Sequence, residues 1–375
     1  MTVDAPLRDS AETATNRLHL AIGLMSGTSL DGVDAALIRS DGRGQVERLG
    51  GLSVAYDEAF RQKLKSILGR QDRHDPEVTA VAAELTRRHA DAVNALLRAE
   101  GLEADDIHVI GFHGQTIHHA PDKGVTVQIG DGPALARATG IQVVCDFRSA
   151  DVAAGGEGAP LAPLYHQALT SVQARPLAVV NIGGVGNITF IGEGEDHVIA
   201  FDTGPGNALI DDLVQRETGR SIDEDGKIAA AGRADQVRLG ALLDNPYFAV
   251  PPPKSLDRDA FEVSELAGLS LEDAAATLTA FTAHSIARGL EHLPVPPARM
   301  LVTGGGRHNP TLMAMLSSLL TCPIAPMEEI GADGDLLEAE CFGWLALRSL
   351  AGLPLSVPGT TGVPQPQTGG MVCTP

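Results

Sequence analysis

Positive charge is scarce in this chain of 375 residues: 28 Lys and Arg stand against 48 Asp and Glu, a formal net charge of −20. Only Lys63, Lys65, Lys123, Lys227 and Lys254 are lysines, so there is no lysine-rich tail. A surface this acidic repels phosphate backbones and anionic membranes over long range. Nucleic acid is therefore not expected as a partner, although a local pocket of backbone N–H groups could still hold a small anion. No apolar run reaches the roughly 20 residues needed to cross a bilayer, so no membrane partner is expected. The opening MTVDAPLRDSAETATNR is polar and mixed in charge, unlike a signal or transit peptide. The four cysteines, Cys145, Cys322, Cys341 and Cys373, form neither a CxxC pair nor a zinc spacing, so reduced thiols in the cytoplasm are expected. The 42 Gly and 23 Pro show no period, which excludes collagen-like and low-complexity classes.

The rest is the composition of a globular protein, with 43% hydrophobic and 20% charged residues. The length suggests two or three domains and can bury a core without disulfides. Residues 1–17 read as a disordered leader. An apolar run at 18–25, a small-residue turn at 26–32 and a second apolar run at 33–38 form a hairpin signature. Helical periodicity follows at Phe60, Leu64, Ile67 and Leu68, and again from Val78 to Leu97. Strands are expected at 109–112, 125–129 and 142–147. The plan then recurs, with strands at 177–182 and 188–191 around a turn at 183–187. A strand at 197–201 precedes a helix at 207–217, a helix at 271–290 precedes a strand at 300–303, and 336–350 is a last amphipathic helix. Such alternation implies an α/β architecture. The expected division is lobe I at 18–150, with 336–350 packing back on it, lobe II at 151–350, and a tail at 351–375.

Three glycine-rich turns each follow an apolar strand, at 26–32, 183–187 and 304–306. Glycine lets backbone N–H groups approach a phosphate closely. Neither G-x-x-x-x-G-K-[ST] nor G-x-G-x-x-G occurs, so P-loop and Rossmann readings lose their support. Two lobes gripping a nucleotide between hairpin turns is the plan of the sugar kinase, heat-shock chaperone and actin group, with a cleft between the lobes as the ligand site. GFHGQTIHH at 111–119 concentrates polar groups at a strand's end, where open α/β sheets bind ligands. Gln115 and Thr116 suit a hydroxylated ligand, whereas His113, His118 and His119 match no zinc motif. Arg148 could hold a carboxylate by a bidentate pair or form an ion pair with Asp146 or Asp151. Asp202, directly after a strand, could take a proton from water or a sugar hydroxyl, or simply shape a turn. Glu338 and Glu340 are two apart on a helix, so at most one faces a cleft.

Taken together, GLMSGTSLDGVD at 23–34, GFHGQTIHH at 111–119, VQIGDG at 127–132, DFRSADVAAGGEGAPLAP at 146–163, NIGGVGNIT at 181–189, FDTGPGN at 201–207, PPKS at 252–255 and GGGRHN at 304–309 resemble the bacterial anhydro-N-acetylmuramic acid kinases. The resemblance spans roughly 18–350. It implies a duplicated actin-like (ribonuclease-H-like) two-lobe kinase with an interlobe ATP and sugar cleft, using ATP and Mg²⁺, cytoplasmic and homodimeric. The reaction implied opens the 1,6-anhydro ring of anhydro-N-acetylmuramic acid with water and phosphorylates O6, a step of peptidoglycan recycling. The implied catalytic base is Asp202. The implied ATP-binding turn is Gly27, Thr28, Ser29, Leu30, Asp31, Gly32, Val33 and Asp34, joined by Asn181, Gly183, Gly184, Asn187, Gly304, Gly305 and Gly306. The implied sugar contacts are Gln115, Thr116, Arg148 and Glu338; which carboxylate holds the metal is open. The family's usual PPKSTGRE-like loop is altered at Leu256, Asp257 and Asp259 while Lys254, Ser255 and Arg258 match. Competing readings are an ordinary hexose or amino-sugar kinase, which would add no water, and a nucleotide-binding regulator without a sugar substrate.

Overall fold

The computed structural model describes residues 17–375 except Thr28, 195–196, 257–259 and Glu262. The leader expected at 1–17 therefore falls almost wholly outside the described residues. Lobe I is built from β1 (His19–Ser26), β2 (Gly32–Ser40), β3 (Val46–Ala55), β4 (Val109–Ala120), β5 (Val125–Ile129) and β6 (Val143–Cys145). Lobe II is built from β7 (Leu177–Ile182), β8 (Val185–Ile191), β9 (Val198–Pro205), β10 (Arg299–Thr303) and β11 (Ile324–Pro326). Setting aside β5, which pairs with the outer part of β4, the two sheets share one order, β3-β2-β1-β4-β6 and β9-β8-β7-β10-β11. In each, the first three strands form an antiparallel meander and the next two add in parallel. The two lobes are thus one α/β plan used twice, the duplicated actin-like architecture.

The elements form where the sequence has reason to form them. β1 and β7 are nearly continuous apolar runs and are buried along most of their length, as befits central strands covered on both faces. Helix Pro76–Glu100 starts at Asp75, whose carboxylate accepts the N–H groups of Glu77 and Val78, and ends at the left-handed Gly101. It buries Val78, Val81, Leu85, Val93, Leu96 and Leu97 in the lobe I core. Helix Glu58–Ile67 buries Phe60, Leu64 and Ile67, whereas Leu68 lies past its end and is exposed. The meander's third strand β3 has no clear apolar signal, since Gly50 and Gly51 interrupt it, and it lies beyond what periodicity alone indicates.

Helix Leu337–Leu350 covers the other face of the lobe I sheet and is drawn unusually close. A Cβ at Gly23 on β1 would sit 1.7 Å from the Ala339 carbonyl oxygen. One at Gly111 on β4 would sit 1.9 Å from that of Phe342. Only glycine permits that contact. The helix's opposite side carries Trp344, 1% exposed and packed against Tyr165 at 5.8 Å between ring centroids. One hydrophobic cluster runs through it, from Ala21, Ile38 and Val109 of one sheet to Leu177, Val179 and Leu301 of the other. The floor of the cleft is therefore a shared core.

In lobe II, helix Leu271–Gly289 begins at Ser270, whose hydroxyl accepts the Asp273 N–H. Ala283 and Ile286 pack on the sheet, while Phe281 turns to the other side, against Phe248 and Phe261. Residues 351–375, read from the sequence as a tail, hold helix Pro358–Thr361 and β12 (Met371–Cys373). β12 pairs antiparallel with β6 at the edge of the lobe I sheet. Thr361 Oγ1 and Ser356 Oγ both donate to the buried Asp151 carboxylate. No helix among the described residues is long and apolar enough to cross a membrane.

Candidate active site

The ends of the two sheets face one another across a cavity of about 430 Å³. Its wall includes Ser29 and Asp34 from the first hairpin, Asn181, Gly183 and Asn187 from the second, and Gly304 and Gly305 from the third turn. Asp202, Arg148 and Glu338 line the same space. Residues that lie far apart in the sequence thus share one wall because both meanders and the parallel strand β10 end at the same place.

Each turn is braced differently. The lobe II turn is clamped from beneath: Asn207 donates its N–H to the Gly183 oxygen at 2.7 Å and its side-chain amide to the Ile182 oxygen at 3.0 Å. The third turn is pinned by Arg307, whose side chain is 3% exposed. It pairs with Glu328 and Asp335 and donates to the Gly304 oxygen at 3.0 Å. In the lobe I turn, Leu30 and Val33 send their side chains into the core, so only their backbone could meet a ligand. Asp31 turns outward to Arg61, and Thr28 lies outside the described residues. Asp34 accepts from Ser53. Burial and the neighbouring Asp335, Asp31 and Asp333 raise its pKa. Gly306 is packed against Ile182, and Gly184 lies beside Ala208 rather than on the cavity wall.

Asp202 sits on β9, whose pairing with β8 places it opposite Asn187. Its N–H donates to the Lys254 oxygen at 3.0 Å, and its Oδ2 accepts the Leu256 N–H at 2.8 Å. Burial pushes its pKa up to about 7, Glu157 adding to the rise while the Leu256 hydrogen bond opposes it. The loop that supplies those contacts is anchored by Lys254. Its ammonium lies 4.5 Å from the Tyr247 ring centroid and donates to the Tyr247 oxygen at 3.1 Å. Ser255 Oγ then donates to Glu157 at 3.1 Å, across from the 146–163 segment. Asp257, Arg258 and Asp259, where the loop's pattern changes, lie outside the described residues.

Arg148 and Glu338 face the cavity from the lobe I side. Arg148 forms no ion pair with Asp146 or Asp151 among the described contacts. Asp146 accepts from Ser149 and Asp151 from Gly158, Ser356 and Thr361. The open mouth leaves Glu338 wetted. The surrounding walls nevertheless raise its pKa, with the Arg148 charge opposing them. Its Oε1 meets the Asn181 amide at 3.5 Å, a contact that spans the cleft. Glu340 points the other way, 3% exposed, bonded to Arg48 at 3.0 Å and to the Tyr165 hydroxyl at 2.8 Å.

Two expected sugar contacts are not on this wall. Gln115 is fully buried: its Oε1 accepts the Ser26 hydroxyl at 2.7 Å and its amide donates to the Thr116 oxygen. Thr116 accepts from Gln128 on the neighbouring strand β5. As neighbours on β4 the two point to opposite faces of the sheet, and neither lines this cavity, so in this structure both brace neighbouring strands. Conversely, His166, Thr303, Asp335 and Phe342 line it and carried no sequence expectation. His166 bonds Thr189, and burial lowers its pKa to about 4. Only the signal of Arg307 and Asp335 was within reach, as charges beside a glycine turn.

The sequence pattern of the family described as anhydro-N-acetylmuramic acid kinase matches residues 19–375. A protein of that name from Rhizorhabdus wittichii is 54% identical over 361 residues, covering 95% of this chain and 99% of that one. Those from Rhodospirillum rubrum and Acidiphilium cryptum are 53% and 52% identical. The first covers 93% of both chains, the second 95% of this chain and 98% of the relative.

Proposed function

This chain belongs to the anhydro-N-acetylmuramic acid kinase family, and from that premise we propose that Asp202 is the base of its reaction. The protein is a kinase of 1,6-anhydro-N-acetylmuramic acid with ATP as phosphoryl donor. The observation that carries the assignment is the placing of Asp202. It is a carboxylate whose pKa is pushed to about 7, on the wall shared by all three glycine turns. A base works best when its pKa lies near the working pH.

In this reading Asp202 takes a proton from a water that attacks the anomeric carbon. The bond from that carbon to O6 breaks as the new C–OH bond forms. O6 carries its electron pair to the γ-phosphorus, and the bond to the ADP oxygen breaks. The balance is one sugar, one ATP and one water giving N-acetylmuramic acid 6-phosphate, ADP and a proton, which Asp202 passes on to solvent. Phosphoryl transfer needs mainly positioning and charge neutralisation. The backbone of 27–32, Gly183 and Gly304–Gly305 would face the phosphates, with Asn181 and Asn187 at their flanks. Asp34, on the cavity wall, is an oxygen donor of the kind a hard cation takes, although no cluster of three such ligands is gathered among the described residues. It would hold Mg²⁺, which supplies charge neutralisation for the phosphates when bound. Arg148 would take the lactyl carboxylate and Glu338 a sugar hydroxyl. Gln115 would act indirectly, by fixing Ser26 at the root of the first turn. A cytoplasmic homodimer completes the reading; a monomer mass by light scattering would remove that part.

The test is sugar-dependent ADP release with mass analysis of the product. The wild type is expected to add phosphate plus one water. Asp202→Asn should lose about 10²–10⁴ in turnover with ATP still bound. Near-normal turnover of that variant would remove Asp202 from the mechanism, and a product without the water would make this an ordinary sugar kinase.

A further inference from the structure

Arg148 is unusual in what it spends its hydrogen bonds on. Its Nε and Nη2 both converge on Nε2 of His113, at 3.1 and 3.0 Å, and Nη1 donates to the Gly158 oxygen at 2.7 Å. A guanidinium can only donate, so Nε2 of His113 must be the acceptor and Nδ1 must carry the proton. The contact at Nδ1 agrees, because it faces the Gly114 carbonyl oxygen at 2.8 Å. The ring is locked in place: it is 5% exposed and lies 4.5 Å from the Phe342 ring. Burial and the Arg148 charge hold its pKa well below the ordinary value, so the ring is neutral.

The bookkeeping of donors is then closed. Of five N–H bonds on Arg148, two go to His113 and one to Gly158. One remains on each terminal nitrogen. No carboxylate of the described residues lies within ion-pair distance of these two, and the cavity is beside them. A neutral acceptor at this place does what a carboxylate could not: it fixes the guanidinium plane without cancelling its charge. We infer that His113 is a positioning residue that holds Arg148 with two N–H bonds and with its charge turned to the cleft, outside any direct ion pair among the described residues, and so sets the enzyme's selectivity for a carboxylated anhydro-sugar. The inference rests on the reading of Arg148 as the carboxylate's seat.

Dissociation constants for two sugars separate the roles, 1,6-anhydro-N-acetylmuramic acid and 1,6-anhydro-N-acetylglucosamine, which lacks the lactyl carboxylate. His113→Ala is expected to weaken the first by about 10- to 100-fold, the worth of a charge-assisted hydrogen bond set, and the second by less than about threefold, within the scatter of a distant change. The KM for ATP should stay unchanged. His113→Gln, whose amide oxygen can accept from Arg148, should restore most of the preference; it also answers the question if the alanine variant does not fold. Equal losses for both sugars, or no loss for either, would overturn the inference. Arg148→Ala distinguishes the two levels. If it abolishes the preference while His113→Ala does not, Arg148 keeps its role and His113 loses its own. If the preference survives Arg148→Ala, the reading of Arg148 itself fails.

Discussion

β3 and β9 hold the same place in the two sheets, the outer strand of each meander, yet only β9 carries a buried cleft carboxylate, the proposed base Asp202. β3 is half-exposed along its length and ends in Ser53, Val54 and Ala55, all open to solvent. β9 is covered by helix Leu271–Gly289, by helix Pro163–Leu169 and by helix Pro358–Thr361, and is buried at most positions. The same topology therefore offers a carboxylate at one edge a dry site and at the other a wet one. Desolvation is what raises the pKa of Asp202, so duplication of a fold does not duplicate its base. Lobe I contributes cleft side chains of both signs instead, Asp34 and Arg148, with Glu338 from the helix laid upon it. Lobe II contributes the proposed base, Asp202, and two glycine turns.

The largest effect should appear where the lobes are joined, on helix Leu337–Leu350. Glu340 is buried with Arg48 and Tyr165, whereas Glu338 is in the cleft. Breaking a buried pair strands its partner, although Arg48 keeps a bond to the Gly331 oxygen. Glu340→Ala should cost about 3 kcal/mol of stability and leave the KM for sugar near normal if the protein is assayed well below its melting point. Glu338→Ala should do the reverse, with stability within about 0.5 kcal/mol and a raised sugar KM. Chemical denaturation and steady-state kinetics on both variants check this. A large stability loss for Glu338→Ala would mean that its contact with Asn181 is a structural strut.

The next effect separates the two hairpin turns. A Cβ at Gly206 would meet the Gly183 oxygen at 2.2 Å, whereas one at Gly27 would find nothing nearer than Ser29 Oγ at 3.7 Å. Gly206→Ala should therefore destabilise the protein by about 1–3 kcal/mol, the cost of overpacking. Gly27→Ala should change stability by less than about 0.5 kcal/mol but raise the KM for ATP, because room that the fold does not need is room for a ligand. If Gly27→Ala leaves the ATP KM unchanged, the first turn does not approach the phosphates as closely as the second.

These contrasts also show what the sequence could and could not reveal. Both hairpins, their turns and Asp202 are runs of neighbouring letters, and an apolar strand followed by glycine or a carboxylate reads directly as a strand end. β3 and β12 escaped because one is broken by Gly50 and Gly51 and the other has only three residues. Gln115 looked like a cleft group because the apolar run at 109–112 read as a strand ending before it, whereas β4 continues to Ala120. The Gln115 side chain turns instead toward Ser26, and only the register of β1 with β4 decides that. His113 and Arg148 are separated by 35 positions and meet because β4 and β6 run parallel, Phe112 beside Cys145. No local pattern carries such a pairing, which is why Arg148 could be suspected and its partner could not.

The smallest effect tests whether the dry edge of β9 is the cause of the Asp202 shift. The folded pKa, about 7, lies above that of an unfolded aspartate, ordinarily about 3.9. The fold therefore binds the proton more tightly than the unfolded chain does. The stability linked to that proton is fully present below about pH 4 and is lost as pH rises through 7. Above pH 7 the protein holds an ionised carboxylate in a poorly hydrated place. Asp202→Asn keeps the shape and an acceptor for the Leu256 N–H but cannot ionise. It should be more stable than the wild type by roughly 1–2 kcal/mol at pH 8, since each pKa unit is worth about 1.4 kcal/mol and water in the cleft relieves part of it. The difference should fall to roughly a third of that at pH 5, and to nearly nothing only below about pH 4, where the unfolded aspartate is protonated too. Urea melts of both proteins at the two pH values measure this directly. A pH-independent difference would place the cause of the shift elsewhere than in the ionisation of Asp202, and the contrast between the two edges would lose its physical basis.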